Sequence, residues 1–302
     1  QLGAKVVCVE KERIGGVCLN WGCIPTKTLL RTAEVLQLAR EAKDYGVMVA
    51  DVRLDWAAAQ KRKDAIVRRL TGGVSALLQK AGVAVVAGEA RLVSPRVIEV
   101  AGQSASETIT AAKVIIATGS RPAPLPIPGL DGPDVLTSDG ALALDALPES
   151  LLIIGAGPIG VEFATLFNAC GVKTTLVEAL PRVLPTLDAD LSAEVERGLK
   201  KARVKVLTAS KVTRIDRAGS RPQVHIEGAA GETAVEVERI LVAVGRRANV
   251  EALGLAETGV EVTKGGIKVD EFQRSNQPDL YAIGDVCGGI QLAHVAMHQG
   301  VI

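Results

Sequence analysis

Aromatic residues, cysteines and net charge are all scarce in this sequence. Phe, Trp and Tyr make up 2% of the 302 residues, so a core must be built from aliphatic side chains. The 35 basic and 34 acidic residues leave a net charge of +1, which gives no electrostatic signature of binding to nucleic acids or anionic membranes. Five cysteines are too few for a disulfide-stabilised scaffold. The apolar runs are far shorter than the roughly 20 residues that cross a bilayer. We therefore expect neither a nucleic-acid nor a membrane partner.

Glycine and aliphatic residues, by contrast, are abundant. The chain has 31 glycines, and its 48% hydrophobic and 23% charged residues are typical of a globular protein. Glycine together with Val, Ile, Leu and Ala predicts a buried parallel sheet with tight strand-to-helix turns. The length predicts about two domains.

The two halves of the chain follow one plan, in which a βαβ unit, a meander of short strands and a strand ending in glycine succeed one another. In the first half we predict a strand at 5–10, a helix from Pro25, and a helix from about Trp56 to Lys80 that is broken near Gly72–Gly73. Its meander is predicted at 83–87, 90–93, 97–100 and 108–111. Residues 121–133 hold five prolines and are the best linker candidate.

The second half repeats this plan more completely. Strands are predicted at 151–154, 173–177, 204–207, 211–216, 222–227, 233–238, 240–245 and 280–283, with helices up to Cys170 and over 188–202. The pattern predicts an α/β protein with two similar halves, of which the first lacks its opening strand.

A dinucleotide-binding pattern follows the strand at 151–154. Gly155, Gly157 and Gly160 form G-x-G-x-x-G directly after a strand and at the start of a helix. The first glycine permits a tight turn, the second lets the backbone approach a pyrophosphate, and the third allows close helix–strand packing. Glu178 ends the next strand, where a carboxylate would bind an adenosine ribose and favour NAD over NADP. Arg182, four residues on, keeps NADP as an alternative.

The segment around Cys18 and Cys23 is the most specific one in the chain. On a regular helix, an offset of five residues advances about 7.5 Å and rotates about 140°, so the thiols would diverge. A disulfide therefore requires an irregular first turn, while two packed thiols and a zinc site stay open as alternatives. Cys23 beside a helix N-terminus would be a reactive thiolate. We interpret Cys8, Cys170 and Cys287 as structural or incidental, and we expect no metal site at His294 and His298.

Five segments resemble landmarks of the class I pyridine nucleotide–disulfide oxidoreductases, which are FAD flavoproteins, and they follow the family's order. They are GGVCLNWGCIPTK at 15–27, ATGSRP at 117–122, GAGPIGVEFA at 155–164, VAVGRRANV at 242–250 and YAIGDVCGG at 281–289. The resemblance covers essentially the whole chain. It implies two Rossmann-like FAD- and NAD(P)-binding domains with a β-meander, the first of them discontinuous and truncated.

The resemblance also implies domain bounds. We expect an FAD-binding domain at 1–140 without its opening strand, an NAD-binding domain at 141–268, and a return segment of the FAD domain at 269–302. The family's first glycine motif and its C-terminal dimerisation domain have no counterpart in the sequence. We therefore expect a fragment of a longer protein, inactive alone and weak in FAD retention.

The implied activity is the oxidation of dihydrolipoamide by NAD⁺, giving lipoamide and NADH through FAD and a Cys18–Cys23 disulfide. The Leu-Asn-Trp-Gly interior and the Ile-Pro-Thr-Lys tail of the cysteine segment are similar to the family's dihydrolipoamide-oxidising members. The implied partner is dihydrolipoamide or a lipoyl-bearing protein, the implied assembly a homodimer, and the implied location the cytoplasm. A related NAD(P)H-dependent disulfide or mercuric reductase, and a non-catalytic NAD-binding module, are the alternatives.

Roles for individual residues follow from the same resemblance. Cys18 would be the interchange thiol, Cys23 would face the flavin, and Lys27 would approach the flavin and pair with Glu162. For FAD the implied residues are Glu10, Ala117, Thr118, Gly119 and Asp285, and for NAD they are Gly155, Gly157, Gly160, Glu178, Gly245 and Arg246. Further cofactor-binding positions are Gly16, Lys27, Ile159, Gly284 and Ala293.

Overall fold

The computed structural model describes residues 3–102, 106–229 and 231–302. The chain divides into two compact units. Unit 1 contains Gln1–Asn20, Arg68–Arg121 and Arg246–Ile302, and unit 2 contains Trp21–Val67 and Pro122–Gly245. Compactness does not say which nucleotide a unit binds, so the assignment of 1–140, 141–268 and 269–302 to FAD and NAD domains stays a prediction.

The helices and strands alternate as in an α/β protein. The helices are α1 Gly16–Asn20, α2 Cys23–Glu41, α3 Trp56–Lys80, α4 Ser138–Leu142, α5 Pro158–Ala169, α6 Ala189–Lys201 and α7 Ala293–Gln299. The strands are β1 Val7–Glu10, β2 Ala84–Ala87, β3 Glu89–Ser94, β4 Val97–Ala101, β5 Ser106–Thr110, β6 Val114–Ile116, β7 Ser120–Pro122, β8 Val135–Leu136, β9 Ser150–Ile154, β10 Lys173–Val177, β11 Lys205–Leu207, β12 Lys211–Asp216, β13 Gln223–Gly228, β14 Gly231–Glu236, β15 Arg239–Val242, β16 Arg246–Ala248, β17 Val262–Thr263, β18 Gly266–Ile267 and β19 Leu280–Ala282.

Unit 2 is built on a five-stranded parallel sheet in the order β11-β10-β9-β15-β8. Alternate residues of β9 enter different cores: Leu151 and Ile153 pack with the helices, while Leu152 and Ile154 pack against the meander β12-β13-β14. Because both faces are covered, the strand must be apolar throughout, which explains its continuous Leu-Leu-Ile-Ile run. The predicted parallel sheet with a meander is confirmed.

Unit 1 contains two parallel strand pairs, β1-β2 and β6-β19, and the antiparallel sheet β3-β4-β5. Its aliphatic core is smaller than the cores of unit 2 and includes Leu92, Ile116, Leu255, Ile267, Leu280 and Val286. Across the described ranges, no helix combines the length and the apolar character that a membrane span requires.

The predicted break in α3 is wrong. The helix is continuous from Trp56 to Lys80, through Gly72 and Gly73. A Cβ at either glycine would meet nothing within 4 Å, so both lie on an open face of the helix. Glycine there costs only about 1 kcal/mol relative to alanine, which the packing of the remaining turns offsets.

Candidate active site

Cys18 and Cys23 are joined by a disulfide, which decides between the three alternatives that their spacing left open. The short helix α1 ends at Asn20, and α2 begins anew at Cys23. Gly22 between them has φ −133° and ψ −116°, which is not helical. The irregular turn that a disulfide over five residues requires is therefore present.

Side-chain hydrogen bonds hold this irregular turn on both sides of the disulfide. Asn20, which is buried, donates through Nδ2 to the carbonyl oxygens of Ile14 and Gly16 at 3.2 and 3.0 Å. Thr26 donates through Oγ1 to the carbonyl of Gly22 at 2.7 Å. The Gly22 carbonyl also accepts from the N–H of Thr26 at 3.1 Å, so these bonds fix the backbone on both sides of the cysteine pair.

The other three cysteines are free. Burial raises the pKa of Cys170 to about 11 and that of Cys287 to about 11. Burial, aided by the negative charge of Glu10, also raises the pKa of Cys8. Because the thiolate is the nucleophilic form, these thiols are unreactive near neutral pH. This agrees with the interpretation that they are structural or incidental.

Lys27 and Glu162 form the ion pair that the resemblance implies. Lys27 Nζ lies 2.5 Å from Oε1 of Glu162, although the two residues are 135 positions apart in the chain. The side chain of Lys27 is 59% exposed and that of Glu162 is 32% exposed. An ion pair this open to water contributes little to stability, about 1 kcal/mol at most. The catalytic role of both residues stays a prediction.

Helices α2 and α5 lie side by side and run in the same direction. Besides the ion pair near their N-termini, Arg40 near the end of α2 donates to the carbonyl of Ala169 at the end of α5, at 2.8 Å. Leu29 of α2 lies in one core with Phe163 and Phe167 of α5. Cys23 and the glycine turn that precedes α5 are therefore at the same end of this helix pair.

The three glycines of the G-x-G-x-x-G turn differ in what a side chain would meet there. Gly155 has φ +101°, and a Cβ there would lie 2.6 Å from the carbonyl oxygen of Ala243. A Cβ on Gly160 would lie 1.9 Å from the carbonyl oxygen of Gly155. A Cβ on Gly157 would meet nothing within 4 Å, which leaves open space in front of the α5 N-terminus. The turn thus offers a cradle in which a nucleotide phosphate could approach the backbone.

The carboxyl ends of β9, β10 and β15 meet at this edge of the sheet, because Ile154 is in register with Val177 and with Val242. Glu178, directly after β10, is buried and accepts hydrogen bonds from the backbone N–H of Ala156 at 2.7 Å and of Leu180 at 2.9 Å. The sheet therefore brings the predicted ribose-binding carboxylate against the glycine turn.

Arg182, which kept NADP as an alternative, is turned toward its own loop. Its guanidinium donates to the carbonyl oxygens of Pro185 at 3.1 Å and Leu187 at 3.2 Å. Gly245, also expected to flank the NAD site, follows β15 with φ +118°.

In unit 1 a second set of predicted residues meets at the carboxyl ends of β6 and β19. Ala282 is in register with Ile116, so Ala117, Thr118 and Gly119 follow one strand where Gly284 and Asp285 follow the other. Ser120 Oγ donates to Asp285 Oδ2 at 2.5 Å. The structure thus brings together the residues that the resemblance assigns to FAD after these two strands.

The sequence interpretation missed two residues of this cluster. Ser120 joins Asp285 to Arg246, whose Nε donates to Ser120 Oγ at 2.8 Å. Asn249 donates through Nδ2 to the carbonyl of Thr118 at 2.9 Å. Both lie inside segments that carry the family resemblance, ATGSRP and VAVGRRANV, which was the signal that could have found them.

The remaining predicted cofactor residues lie at the starts and ends of elements. Glu10 ends β1 and accepts through Oε1 from the N–H of Glu12 at 2.8 Å. Gly16 begins α1 with φ +67°, Ile159 lies in the first turn of α5, and Ala293 begins α7. Their contacts with a cofactor stay predictions. Among the described residues, no group of three or more His, Cys, Asp or Glu side chains could hold a metal ion.

The comparisons agree with this geometry. The model of the pyridine nucleotide-disulphide oxidoreductase family matches residues 1–300, and the chain belongs to that family. It is 42% identical to a dihydrolipoyl dehydrogenase of Bacillus subtilis, over all of this chain and 66% of the relative. It is also 42% identical to a dihydrolipoyl dehydrogenase of Acholeplasma laidlawii, over all of this chain and 88% of the relative.

A solved structure with the same fold is the HOCl-induced flavoprotein disulfide reductase RclA from Escherichia coli. Its TM-score is 0.87 at 30% identity, and the match covers 99% of this chain and 65% of that one. The predicted fold class and family are confirmed. The chain spans about two thirds of the length of most of the curated relatives it matches.

Proposed function

We propose that the protein is a flavoprotein oxidoreductase that oxidises dihydrolipoamide with NAD⁺ and uses the Cys18–Cys23 disulfide as its first electron acceptor. The observation that carries the proposal is the disulfide itself, held in an irregular turn at the same end of the α2–α5 pair as the dinucleotide turn. The resemblance of the cysteine segment to dihydrolipoamide-oxidising members, and the relatives named dihydrolipoyl dehydrogenase, support this substrate.

The disulfide supplies the chemistry of the first half-reaction. One thiolate of dihydrolipoamide attacks Cys18, and Cys23 leaves as the thiolate. The second thiolate of the substrate then attacks the mixed disulfide, which closes the lipoamide disulfide and releases Cys18 as a thiolate; this thiolate takes up one of the two protons that dihydrolipoamide has lost. Two electrons have passed from the substrate to the cysteine pair. The positive end of the α2 dipole lies at Cys23 and stabilises its thiolate.

The residues present fit both cofactors that the family uses. Ser120, Asp285 and the 117–119 segment provide a polar cluster at the carboxyl ends of β6 and β19 for FAD. The open cradle at Gly157 provides a site for the NAD pyrophosphate. When bound, FAD supplies the two-electron acceptor between the dithiol and NAD⁺. Lys27, held by Glu162, provides a cation that stabilises negative charge developing in its surroundings.

The choice of NAD over NADP rests on Glu178 and Arg182. Glu178 holds a buried negative charge against the glycine turn, which disfavours a 2′-phosphate. Arg182 has its donors on the carbonyls of Pro185 and Leu187 instead. In Glu178→Gln we expect the ratio of kcat/KM for NAD⁺ to that for NADP⁺ to fall about ten-fold. A ratio that is unchanged, or wild-type preference for NADP⁺, contradicts this assignment.

The proposal extends to the partner, the assembly and the location. The substrate in the cell would be a lipoyl-bearing protein, the assembly a homodimer and the location the cytoplasm. The support is the family resemblance, together with three cysteines that remain free thiols.

The test is NADH formation from dihydrolipoamide and NAD⁺ by the protein expressed from its complete reading frame and loaded with FAD. Cys18→Ser should lower kcat by at least about a thousand-fold, because the interchange thiol is lost. Cys287→Ser removes a free, half-buried thiol and is the matched control, which should keep most of the activity. Wild-type activity no better than background, or a Cys18→Ser variant as active as wild type, would refute the proposal.

The similarity to RclA favours a second candidate, a disulfide reductase that runs from NADH toward another disulfide. It uses the same cysteine pair in the opposite direction. This candidate would replace the first if NADH reduced a small disulfide while dihydrolipoamide gave no NADH.

A further inference from the structure

Ser120 has a hydrogen-bonding role that the predicted cofactor contacts do not use. It is 3% exposed and begins β7, directly after Gly119. Its hydroxyl lies 2.5 Å from Asp285 Oδ2 and 2.8 Å from Arg246 Nε. Arg246 also donates through Nη2 to the carbonyl oxygen of Ser120 at 2.7 Å, so its guanidinium binds both oxygens of this residue.

The direction of these hydrogen bonds is fixed by chemistry. A guanidinium has five donors and no acceptor, so Ser120 Oγ must accept from Arg246. The single hydroxyl proton is then left for Asp285, whose Oδ2 must accept it. Two residues that lie 126 and 165 positions from Ser120 in the chain are thereby joined into one polar chain.

A second contact restrains the turn that carries Asp285. Gly284 has φ +75°, and its N–H donates to Oε1 of Gln299 at 2.7 Å. Asp285 lies in the first turn of the short 3-10 helix Gly284–Cys287. Ser120 thus fixes the Asp285 carboxylate through Oδ2. A carboxylate has about four acceptor positions, so this bond still leaves acceptor positions for an incoming donor.

We propose that Ser120 and Arg246 are positioning residues that fix Asp285 as an acceptor for a hydroxyl group of bound FAD. The proposal rests on the proposed function, since it takes FAD as the cofactor of unit 1. It gives Arg246 a different role from the one expected beside NAD. In unit 1 the geometry connects Arg246 to Asp285 through a buried hydroxyl, and all three residues belong to that unit.

The experiment measures FAD binding to the apoprotein, prepared from the complete reading frame, by quenching of flavin fluorescence. Ser120→Ala should raise the dissociation constant for FAD about ten-fold, because the half-buried Asp285 carboxylate loses its buried hydroxyl donor. Arg246→Met should raise it by a similar factor. Arg246→Lys keeps a charged donor but cannot make both hydrogen bonds to Ser120 at once. Its dissociation constant for FAD should lie between those of the wild type and Arg246→Met.

Two variants of unit 1 serve as matched controls. Ser275→Ala removes another partly buried hydroxyl of unit 1, which donates to the carbonyl of Leu280 at 2.8 Å. Arg91→Met removes another guanidinium of unit 1, which pairs with Glu257 at 2.6 Å. Both should bind FAD within about two-fold of wild type. Thermal unfolding of each apoprotein separates a loss of FAD contact from a general loss of structure.

A kinetic comparison completes the test. With FAD at saturating concentration, the KM for NAD⁺ should be unchanged in Ser120→Ala and Arg246→Met. The proposal is overturned if both variants bind FAD as tightly as wild type, or if Arg246→Met raises the KM for NAD⁺ and leaves FAD binding intact. Wild-type protein that binds no FAD would overturn the proposed function as well, which is a separate and recognisable outcome.

Discussion

The two candidate nucleotide sites differ in what builds them. In unit 2 the part of the site expected to hold the pyrophosphate is made by the backbone, where three glycines, the ends of parallel strands and the start of α5 leave a cradle with no side chain at position 157. In unit 1 the site is made by side chains, where Ser120 and Asn249 connect segments far apart in the chain.

This difference follows from how each unit is held. Unit 2 has five parallel strands with a core on each face, so its backbone is already rigid at the sheet edge. Unit 1 has strand pairs and one smaller core, so polar side chains hold its strand ends in place. At the glycine turn of unit 2 we therefore expect substitutions that add a side chain to do the damage. At the polar cluster of unit 1 we expect the damage from substitutions that remove a hydrogen-bonding side chain.

The largest effect is expected at the glycine turn of unit 2. Gly160→Ala places a methyl group 1.9 Å from a backbone carbonyl, so the free energy of unfolding should fall by about 2 kcal/mol. Gly157→Ala should leave stability unchanged and weaken NAD⁺ binding about ten-fold, because its methyl group fills the cradle. Chemical denaturation and the KM for NAD⁺ separate the two effects.

Gly198 on α6 provides the control for these substitutions. A Cβ there meets nothing within 4 Å, so Gly198→Ala should raise stability by about 0.5–1 kcal/mol and leave coenzyme binding intact. If Gly157→Ala and Gly160→Ala have the same effects on stability and on the KM for NAD⁺, the steric account of the unit 2 turn is wrong.

The Lys27–Glu162 pair is the side-chain contact of unit 2 whose loss we expect to matter for activity. Lys27→Met should lower kcat/KM about ten-fold, because a cation near the reacting groups is lost, while stability changes by less than about 1 kcal/mol. A double-mutant cycle with Glu162→Gln measures the coupling of the two residues. The pair Lys200–Glu196, at 2.6 Å on α6, is the control and should leave kcat/KM unchanged. Equal effects from both pairs would contradict the assigned role.

Asn249 tests the side-chain character of the unit 1 site. Asn249→Ala removes the hydrogen bond to Thr118, so stability should fall by about 1 kcal/mol and FAD should bind about three-fold more weakly. Asn276→Ala removes a similar amide bond, to the carbonyl of Gly259 at 2.8 Å. It should cost similar stability without affecting FAD. Equal FAD affinity in the two variants would remove the distinction between the units.

The smallest effect is expected from alkaline pH, and it should appear in both units. Burial holds the pKa of Cys170 in unit 2 and Cys287 in unit 1 at about 11, above the ordinary value of 9.0. Because the folded-state pKa is raised, the stability from the neutral thiols is complete below pH 9 and is lost as pH rises through about 11. In Cys170→Ala and in Cys287→Ala the free energy of unfolding should fall less between pH 9 and 11 than in the wild type. The same pH dependence in variant and wild type would refute this.

Local features of the sequence were enough to predict unit 2 well. The strand prediction 173–177 matches β10, and 211–216 matches β12, because residues buried on fixed faces give a clear pattern. The continuity of α3 could not be predicted, since only the surrounding structure shows that Gly72 and Gly73 face open space.

The polar cluster of unit 1 could not be predicted for a different reason. Ser120 bonds Asp285 and Arg246 across 165 and 126 positions, and no local pattern carries such a contact. The cysteine pair lies between these cases. Its spacing alone left a disulfide, free thiols and zinc open, and the non-helical Gly22 explains how the disulfide closes.

The central claim is that the Cys18–Cys23 disulfide accepts electrons from dihydrolipoamide. The most direct measurement is mass-spectrometric counting of alkylated cysteines under denaturing conditions, before and after anaerobic treatment of the FAD-loaded protein with one equivalent of dihydrolipoamide. Among the five cysteines of this sequence, we predict label before treatment only on Cys8, Cys170 and Cys287, and after treatment on Cys18 and Cys23 as well. Label on Cys18 and Cys23 in the untreated protein, or a disulfide that survives dihydrolipoamide, would contradict the claim.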